Sequence, residues 1–290
     1  MMPYLNGTME RDFVKTFQYV IHIPTFILGL AINSVALSIL YFRLKNWTES
    51  TIYMTNLILS DLLLLCSLPF KMHAFQKGED WHLHPSFCDF VESLYFVNTY
   101  ATILLITLIS LDRYIAIRHP ILARTLRSPK KAAVACVIVW LCVWSASIPN
   151  YSQTKTQQCF SNFTTFWDRG IIPLIMLAIF LIAAFAVIFC SITIIRTLQR
   201  VVEEREIDMS TSMKIISCNL VTFLLCFTPC HVAMLLYLMV RNNYIPDDYH
   251  APLRVFLQTS QVLATTNCCL DAMYYYLIIM EYWKSKMTNA

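Results

Sequence analysis

The sequence predicts an all-α fold, a bundle of seven transmembrane helices with a short amphipathic C-terminal helix. Three observations predict it. The 290 residues are 57% hydrophobic and 14% charged, with a mean hydropathy of +0.55, whereas soluble domains carry roughly 25% charged residues. Seven apolar runs, each near the roughly 20 residues a helix needs to cross the hydrocarbon, fall at about 15–42, 51–76, 86–117, 131–150, 170–198, 211–240 and 252–278. The connections between them are short, so residues 1–290 read as one domain. The net charge of +4 is modest and calls for no nucleic acid.

The first run exceeds the apolar core of a signal peptide and is read as a retained span. Orientation follows from Lys and Arg, which gather on the cytoplasmic side of a multi-pass chain. With the N-terminus outside, that side holds Arg43, Lys45, Arg113, Arg118, Arg124, Arg127, Lys130, Lys131, Arg196, Arg200, Arg205, Lys214, Lys284 and Lys286. The sequons at Asn6 and Asn162 then lie outside as glycosylation candidates, and the one at Asn46 lies inside. Most of the 11 Cys sit within apolar runs, where the thiol behaves as a small hydrophobe. Cys88 and Cys159 fall in extracellular positions and are expected to form one bridge, which an oxidising face permits. Two histidines at 82 and 84 are too few to hold a metal.

Several spans carry polar residues that lipid would penalise. Span one has Asn33. Span two has Asn56 and the costlier Asp61, then a kink signal at Pro69 and a cation, Lys71. Span three starts at Cys88, passes Glu92, Tyr95, Asn98 and Thr102, and ends in Asp112-Arg113-Tyr114. Pro129 suits the start of span four, which holds Trp140 and ends near Pro149. Asp168 and Arg169 precede span five. Span six holds Phe223, Phe227 and Pro229, whose missing N–H should bend it, with His231, Tyr237 and Arg241 toward the outer end. Span seven begins near Arg254 and supplies Asn267, a second intramembrane carboxylate at Asp271, and Tyr275. Residues 279–288 mix Tyr282 and Trp283 with Lys284 and Lys286, as a helix lying on the inner leaflet does.

Asn33, Asp61, Cys88, Asp112-Arg113-Tyr114, Trp140, Cys159, Phe223, Pro229 and Tyr275 occur in the order and spans of the rhodopsin-like (class A) G-protein-coupled receptors, and the whole chain resembles that family. The strings at 52–57, 67–72, 126–131 and 267–271 are similar to one branch of it. That branch holds the lysophosphatidylinositol-responsive and the kynurenic acid/lysophosphatidic acid-responsive orphan receptors. Four departures stand out: Ile182 in place of the usual span-five proline, Phe227 for a tryptophan, Ala272 for the proline before Tyr275, and Thr99 where one relative has a pocket arginine.

The resemblance implies a plasma-membrane, multi-pass receptor with an extracellular N-terminus, and no enzyme. Tyr95 stands where amine receptors carry Asp, which disfavours an amine ligand. Lys71, Arg169, Arg241 and Arg254, offset by Glu92, favour an anionic amphiphile of lysophospholipid type, with a small aromatic acid as the alternative. Phe96, Thr99, Tyr100, His231 and Tyr237, with Tyr95, are the remaining ligand candidates. Asp61, Asn98, Thr102, Asn267 and Asp271 resemble the family's sodium site, and no other cofactor is expected. Asp112, Arg113, Tyr114, Phe223, Phe227, Pro229, Asp271 and Tyr275 would form the switch, with Asp112 holding Arg113 at rest. Span six offers Met209 where relatives often add an acid, with Glu206 and Asp208 just before it. The implied partner is a heterotrimeric G protein of the inhibitory or Rho-linked class. Arrestin and receptor kinases are allowed, although few Ser or Thr follow span seven. An ion-coupled transporter using Asp61 and Asp271 as a relay is a remote alternative, without the repeats or broken helices it needs.

Overall fold

A computed structural model describes residues 2–43, 47–76, 84–147, 159, 171–205 and 210–272. Among these there is helix and no strand. The helices are α1 (Met2–Arg43), α2 (Glu49–Gln76), α3 (Pro85–Arg118), α4 (Pro120–Leu126), α5 (Pro129–Ser147), α6 (Ile171–Arg205), α7 (Ser210–Arg241) and α8 (His250–Thr265). A turn at Thr266 follows α8, and helix resumes over 267–272. The end bearing the N-terminus is called outer below.

Proline and polar caps set several starts. Pro85 opens α3 where its missing N–H has no helical partner to lose, and the His84 imidazole accepts the Ser86 N–H at 3.3 Å. Pro120 and Pro129 open α4 and α5 in the same way. Within helices, Pro24, Pro69 and Pro229 leave the carbonyls of Val20, Leu65 and Leu225 without their usual donor. The kink signal at Pro69 does not end α2, which continues to Gln76.

Six helices among the described residues are long and apolar enough to span a bilayer. The seventh expected run is interrupted: α8 is 16 residues long and gives way to the turn at Thr266. Its polar residues explain the break, since the Thr265 and Thr266 hydroxyls bond the carbonyls three residues back, at 2.6 and 2.7 Å. α1 reaches further out than the apolar run from residue 15, starting at Met2. The last residues of the fourth and seventh expected runs lie outside the described residues. So do Arg169, Tyr275, Met209 with Glu206 and Asp208, the sequon at Asn162 and the surface helix over 279–288. Asn6 falls on α1, with its side chain outside those described.

The helices close a ring, α1 against α2, α2 against α3 and α5, α6 against α7, α7 against α8, and α8 back onto α1. α3 packs on α2, α4, α5 and α6 and so runs through the interior. One apolar core joins Ala36, Leu57, Ile103, Val139, Val187, Phe223 and Phe227. The outward faces are apolar too. Along α6, Ile182, Phe185 and Phe189 are exposed, while Phe180, Ala183, Val187 and Cys190 are buried. Lipid replaces water outside such a bundle, so it is the polar side chains that mark the inside.

At one point backbones must approach closely. A Cβ on Gly29 of α1 would meet Leu65 Cδ2 at 2.8 Å and Cys269 Sγ at 3.3 Å. Beside it Asn33 donates to the carbonyls of Gly29 and Cys268, at 2.9 and 3.0 Å. α1, α2 and the last helix are thereby drawn together.

Candidate functional site

The predicted site residues fall at three levels down the bundle. At the outer level the Cys88–Cys159 disulfide is present, and it fixes residue 159 over the start of α3. Below it the Lys71 ammonium lies 5.1 Å from the centroid of the Tyr95 ring. A cation over an aromatic face is attracted by the ring quadrupole. Among the described residues Lys71 makes no ion pair within 4 Å, and Glu92 is the carboxylate whose charge reaches it. Tyr95 is held in turn, its hydroxyl donating to the Gln261 carbonyl at 2.9 Å across to α8. Glu92, Arg241 and Arg254 are half-buried and each is engaged by neighbours.

The aromatic candidates form a chain rather than an open wall. Phe96 meets Tyr100 at 4.9 Å between centroids. The Tyr100 hydroxyl and His231 Nε2 are 3.2 Å apart, and the His231 ring stacks on Phe180 at 3.9 Å. His231 Nδ1 lies 2.8 Å from the Phe227 carbonyl, and Phe227 packs on Phe223. Tyr100, His231 and Tyr237 are all below 5% exposed, and the contacts of His231 with Tyr100 and Phe180 connect α7 to α3 and α6. Tyr237 pairs with His250 Nε2 at 3.2 Å. Thr99 turns its hydroxyl back to the Tyr95 carbonyl, at 2.9 Å.

The middle level is a polar core. Asn98 donates to Asp61 Oδ1 at 3.3 Å and to Ser60 Oγ at 3.1 Å. Asn267 donates to Asp271 Oδ2 at 2.6 Å. The charge of Asp61 reaches the Asp271 carboxyl. All five predicted residues are buried, yet Asp61 Oδ2, Thr102 Oγ1 and Asn267 Oδ1 have no hydrogen-bond partner. Buried polar atoms are nearly always paired, so this is an oxygen-rich site with capacity left over. Oxygen donors of this kind suit a hard cation such as sodium. On one flank, outside the predicted set, Trp140 Nε1 donates to Asn56 Oδ1 at 2.9 Å and ties α5 to α2.

The inner level differs from the expectation. Both oxygens of Asp112 lie in the fork of Arg127, with Nε to Oδ1 at 2.8 Å and Nη2 to Oδ2 at 3.1 Å. The same Nη2 reaches Glu49 Oε2 at 3.2 Å, and Ser50 Oγ adds a bond to Asp112 Oδ2 at 3.4 Å. The resting restraint expected between Asp112 and Arg113 is therefore shared out to a loop arginine and to α2. The reason is geometric. Neighbours on a helix point about 100° apart, whereas a guanidinium arriving from the facing loop meets a carboxylate edge-on with two bonds. Those bonds to Asp112 also hold the Arg127 guanidinium above its ordinary pKa. Arg113 is half-buried and engaged by neighbours. Tyr114 pairs with His119 Nε2 at 3.3 Å and packs on Phe189.

Arg127, Glu49 and Ser50 were not expected at the switch. Arg127 lies in the basic loop string 126–131, where it reads as one more inner-leaflet charge, and Glu49 and Ser50 lie just ahead of span two. Gln18 and His22 were missed as well, although polar residues one turn apart inside an apolar run are a usable signal.

The model of the 7 transmembrane receptor (rhodopsin family) matches residues 32–275. G-protein coupled receptor 55 of Mus musculus is 37% identical over 288 residues, covering 92% of this chain and 87% of its own. G-protein coupled receptor 35 of Homo sapiens is 35% identical over 260 residues, covering 88% and 82%. Lysophosphatidic acid receptor 6 of Gallus gallus is 32% identical over 287 residues, covering 93% and 92%.

Proposed function

This chain belongs to the rhodopsin family of seven-transmembrane receptors, and from that premise we propose that its outer level binds an anionic amphiphile of the lysophospholipid class. It is a multi-pass receptor of the plasma membrane and not an enzyme. Membership implies an extracellular ligand and a heterotrimeric G protein as partners. The observation that carries the ligand class is Lys71, a half-buried ammonium set over Tyr95 with no ion pair among the described residues. A cation so placed favours a phosphate or carboxylate, and the apolar rings around it favour an acyl chain. A relative named for lysophosphatidic acid supports the same class.

Binding at Lys71 and Tyr95 is relayed inward through Tyr100 and His231 to α7, whose Pro229 lies two residues before His231. Movement of the inner half of α7 opens the inner face to a G protein of the inhibitory or Rho-linked class, where Arg113 meets it. Asp61, Asn98, Thr102, Asn267 and Asp271 would hold a sodium ion, which supplies positive charge to the two carboxylates and favours the resting packing.

The test is ligand-dependent nucleotide exchange on a G protein, with lysophospholipids and aromatic acids screened against wild type and Lys71→Ala. A charge-assisted hydrogen bond is worth about 1.5–3 kcal/mol, so Lys71→Ala should lower potency by roughly 10- to 100-fold. An anionic agonist equally potent on both forms would remove Lys71 from the site. Activation by an aromatic acid alone would change the ligand class.

A further inference from the structure

We propose that Gln18 and His22 form a second subsite beside Lys71 that takes hydroxyl groups on the head of the same amphiphile, a reading that rests on the anionic ligand assigned to Lys71. The two residues are one turn apart on α1 and share a face. Gln18 is 5% exposed and His22 0%. Gln18 Oε1, His22 Nδ1 and His22 Nε2 all lack a hydrogen-bond partner. Three unmet polar atoms on two neighbouring side chains oppose folding, because buried groups of this kind forfeit water without replacing it. Such a cost is commonly retained where function uses it.

The location is specific. Tyr19, between the two, donates its hydroxyl to the Met72 carbonyl at 2.6 Å, which sets this turn of α1 against the turn of α2 that carries Lys71. The Lys71 charge reaches His22. Deeper in, Cys269 Sγ donates to the Thr25 carbonyl at 3.6 Å and closes α1 against the last helix. The unmet atoms therefore lie on the interior side of α1, next to the cation of the ligand site.

Their chemistry selects the occupant. A neutral imidazole presents one donor and one acceptor, and Gln18 Oε1 is a second acceptor. A phosphate or carboxylate oxygen would use only the single donor. An ammonium head group would be repelled by Lys71. A hydroxyl both gives and accepts, so neutral alcohol groups satisfy the set while Lys71 takes the phosphate. The atoms are shut off from water in this packing. Entry thus requires the outer part of α1 to draw back from α2, breaking the Tyr19–Met72 bond, so the subsite opens as the ligand arrives.

The experiment uses the full chain in nanodiscs and two probes that differ only in the head group. One is 1-oleoyl lysophosphatidylglycerol, and the other has a plain n-propyl group in place of the glycerol. Wild type should bind the glycerol form about tenfold tighter, the usual scale for one or two net hydrogen bonds. His22→Leu and Gln18→Met should each bring that ratio toward about one while leaving the propyl form unchanged. Both variants should also melt at a higher temperature without ligand, because each removes an unmet buried polar group. Equal binding of the two probes to wild type, or an intact preference in His22→Leu, overturns the subsite. A lower melting temperature in both variants also overturns it, by showing the groups already paired at rest. Lys71→Ala separates the two layers: it should weaken both probes alike. If neither probe binds wild type, the anionic-amphiphile reading fails and the subsite falls with it.

Discussion

Asp112 is 7% exposed, and a buried carboxyl needs hydrogen-bond partners. The solution is a small network, with the Arg127 fork at 2.8 and 3.1 Å, Ser50 at 3.4 Å, and Glu49 sharing the guanidinium. With its side chain 28% exposed, Arg127 is partly screened by solvent, which discounts the pair. It still ties the turn between α4 and α5 to α2 and α3, next to Arg113, the residue proposed to meet the G protein. Arg127→Ala should therefore raise ligand-independent nucleotide exchange about two- to fivefold, equivalent to roughly 0.5–1 kcal/mol of resting-state stabilisation. Arg127→Lys should recover only part of the restraint, because an ammonium is a point charge and cannot form the fork. Basal exchange equal to wild type, at matched surface expression, would confine Arg127 to anchoring the loop.

At the scale of elements, α1 is placed by close contacts with α2 and the last helix. Gly29 lets α1 sit on Leu65 and Cys269, and Asn33 bonds across to Cys268. Gly29→Ala would push a methyl to 2.8 Å from a leucine methyl whose own residue is fully buried. Overpacking of this kind costs about 1–3 kcal/mol, so the variant should melt several degrees lower and be recovered in part by Leu65→Val. An unchanged melting temperature would show that α1 is free to shift outward at this level. The clasp on α7 is likewise an element property. Tyr100 and Phe180 hold His231 just past the proline that interrupts the α7 hydrogen-bond ladder, which ties α3 and α6 to α7 at that height.

For the molecule as a whole, the polar core gathers buried polar residues of α2, α3 and the last helix. The Asp61 charge reaches the buried Asp271 carboxyl, and Asp61 Oδ2, Thr102 Oγ1 and Asn267 Oδ1 are unpartnered, a set that a bound cation would relieve. Replacing choline chloride by sodium chloride at constant ionic strength should raise the melting temperature and lower agonist affinity together, since one ion favours one state. Asp61→Asn should abolish both effects. A sodium response that survives Asp61→Asn would place the ion elsewhere.

Composition, apolar runs and the asymmetry of Lys and Arg were enough to determine a multi-pass helical bundle, because a bilayer allows a chain so few ways to satisfy its backbone. The motif residues Asp61, Cys88, Asp112, Cys159 and Pro229 were legible one by one; Asp61 falls on α2, Cys88 and Asp112 on α3 and Pro229 on α7, and Cys88 is bridged to Cys159. Partners were not legible. With lipid outside, the helices are apolar all round, so periodicity does not say which face is inside or which polar side chain meets which. That is why Arg127 read as an inner-leaflet charge and His22 as part of an apolar run. Only the packing decided that one closes on Asp112 and that the other is buried beside Lys71 with nothing to bond. Pairing depends on helix rotation and depth, which the whole bundle sets at once and no single stretch of sequence records.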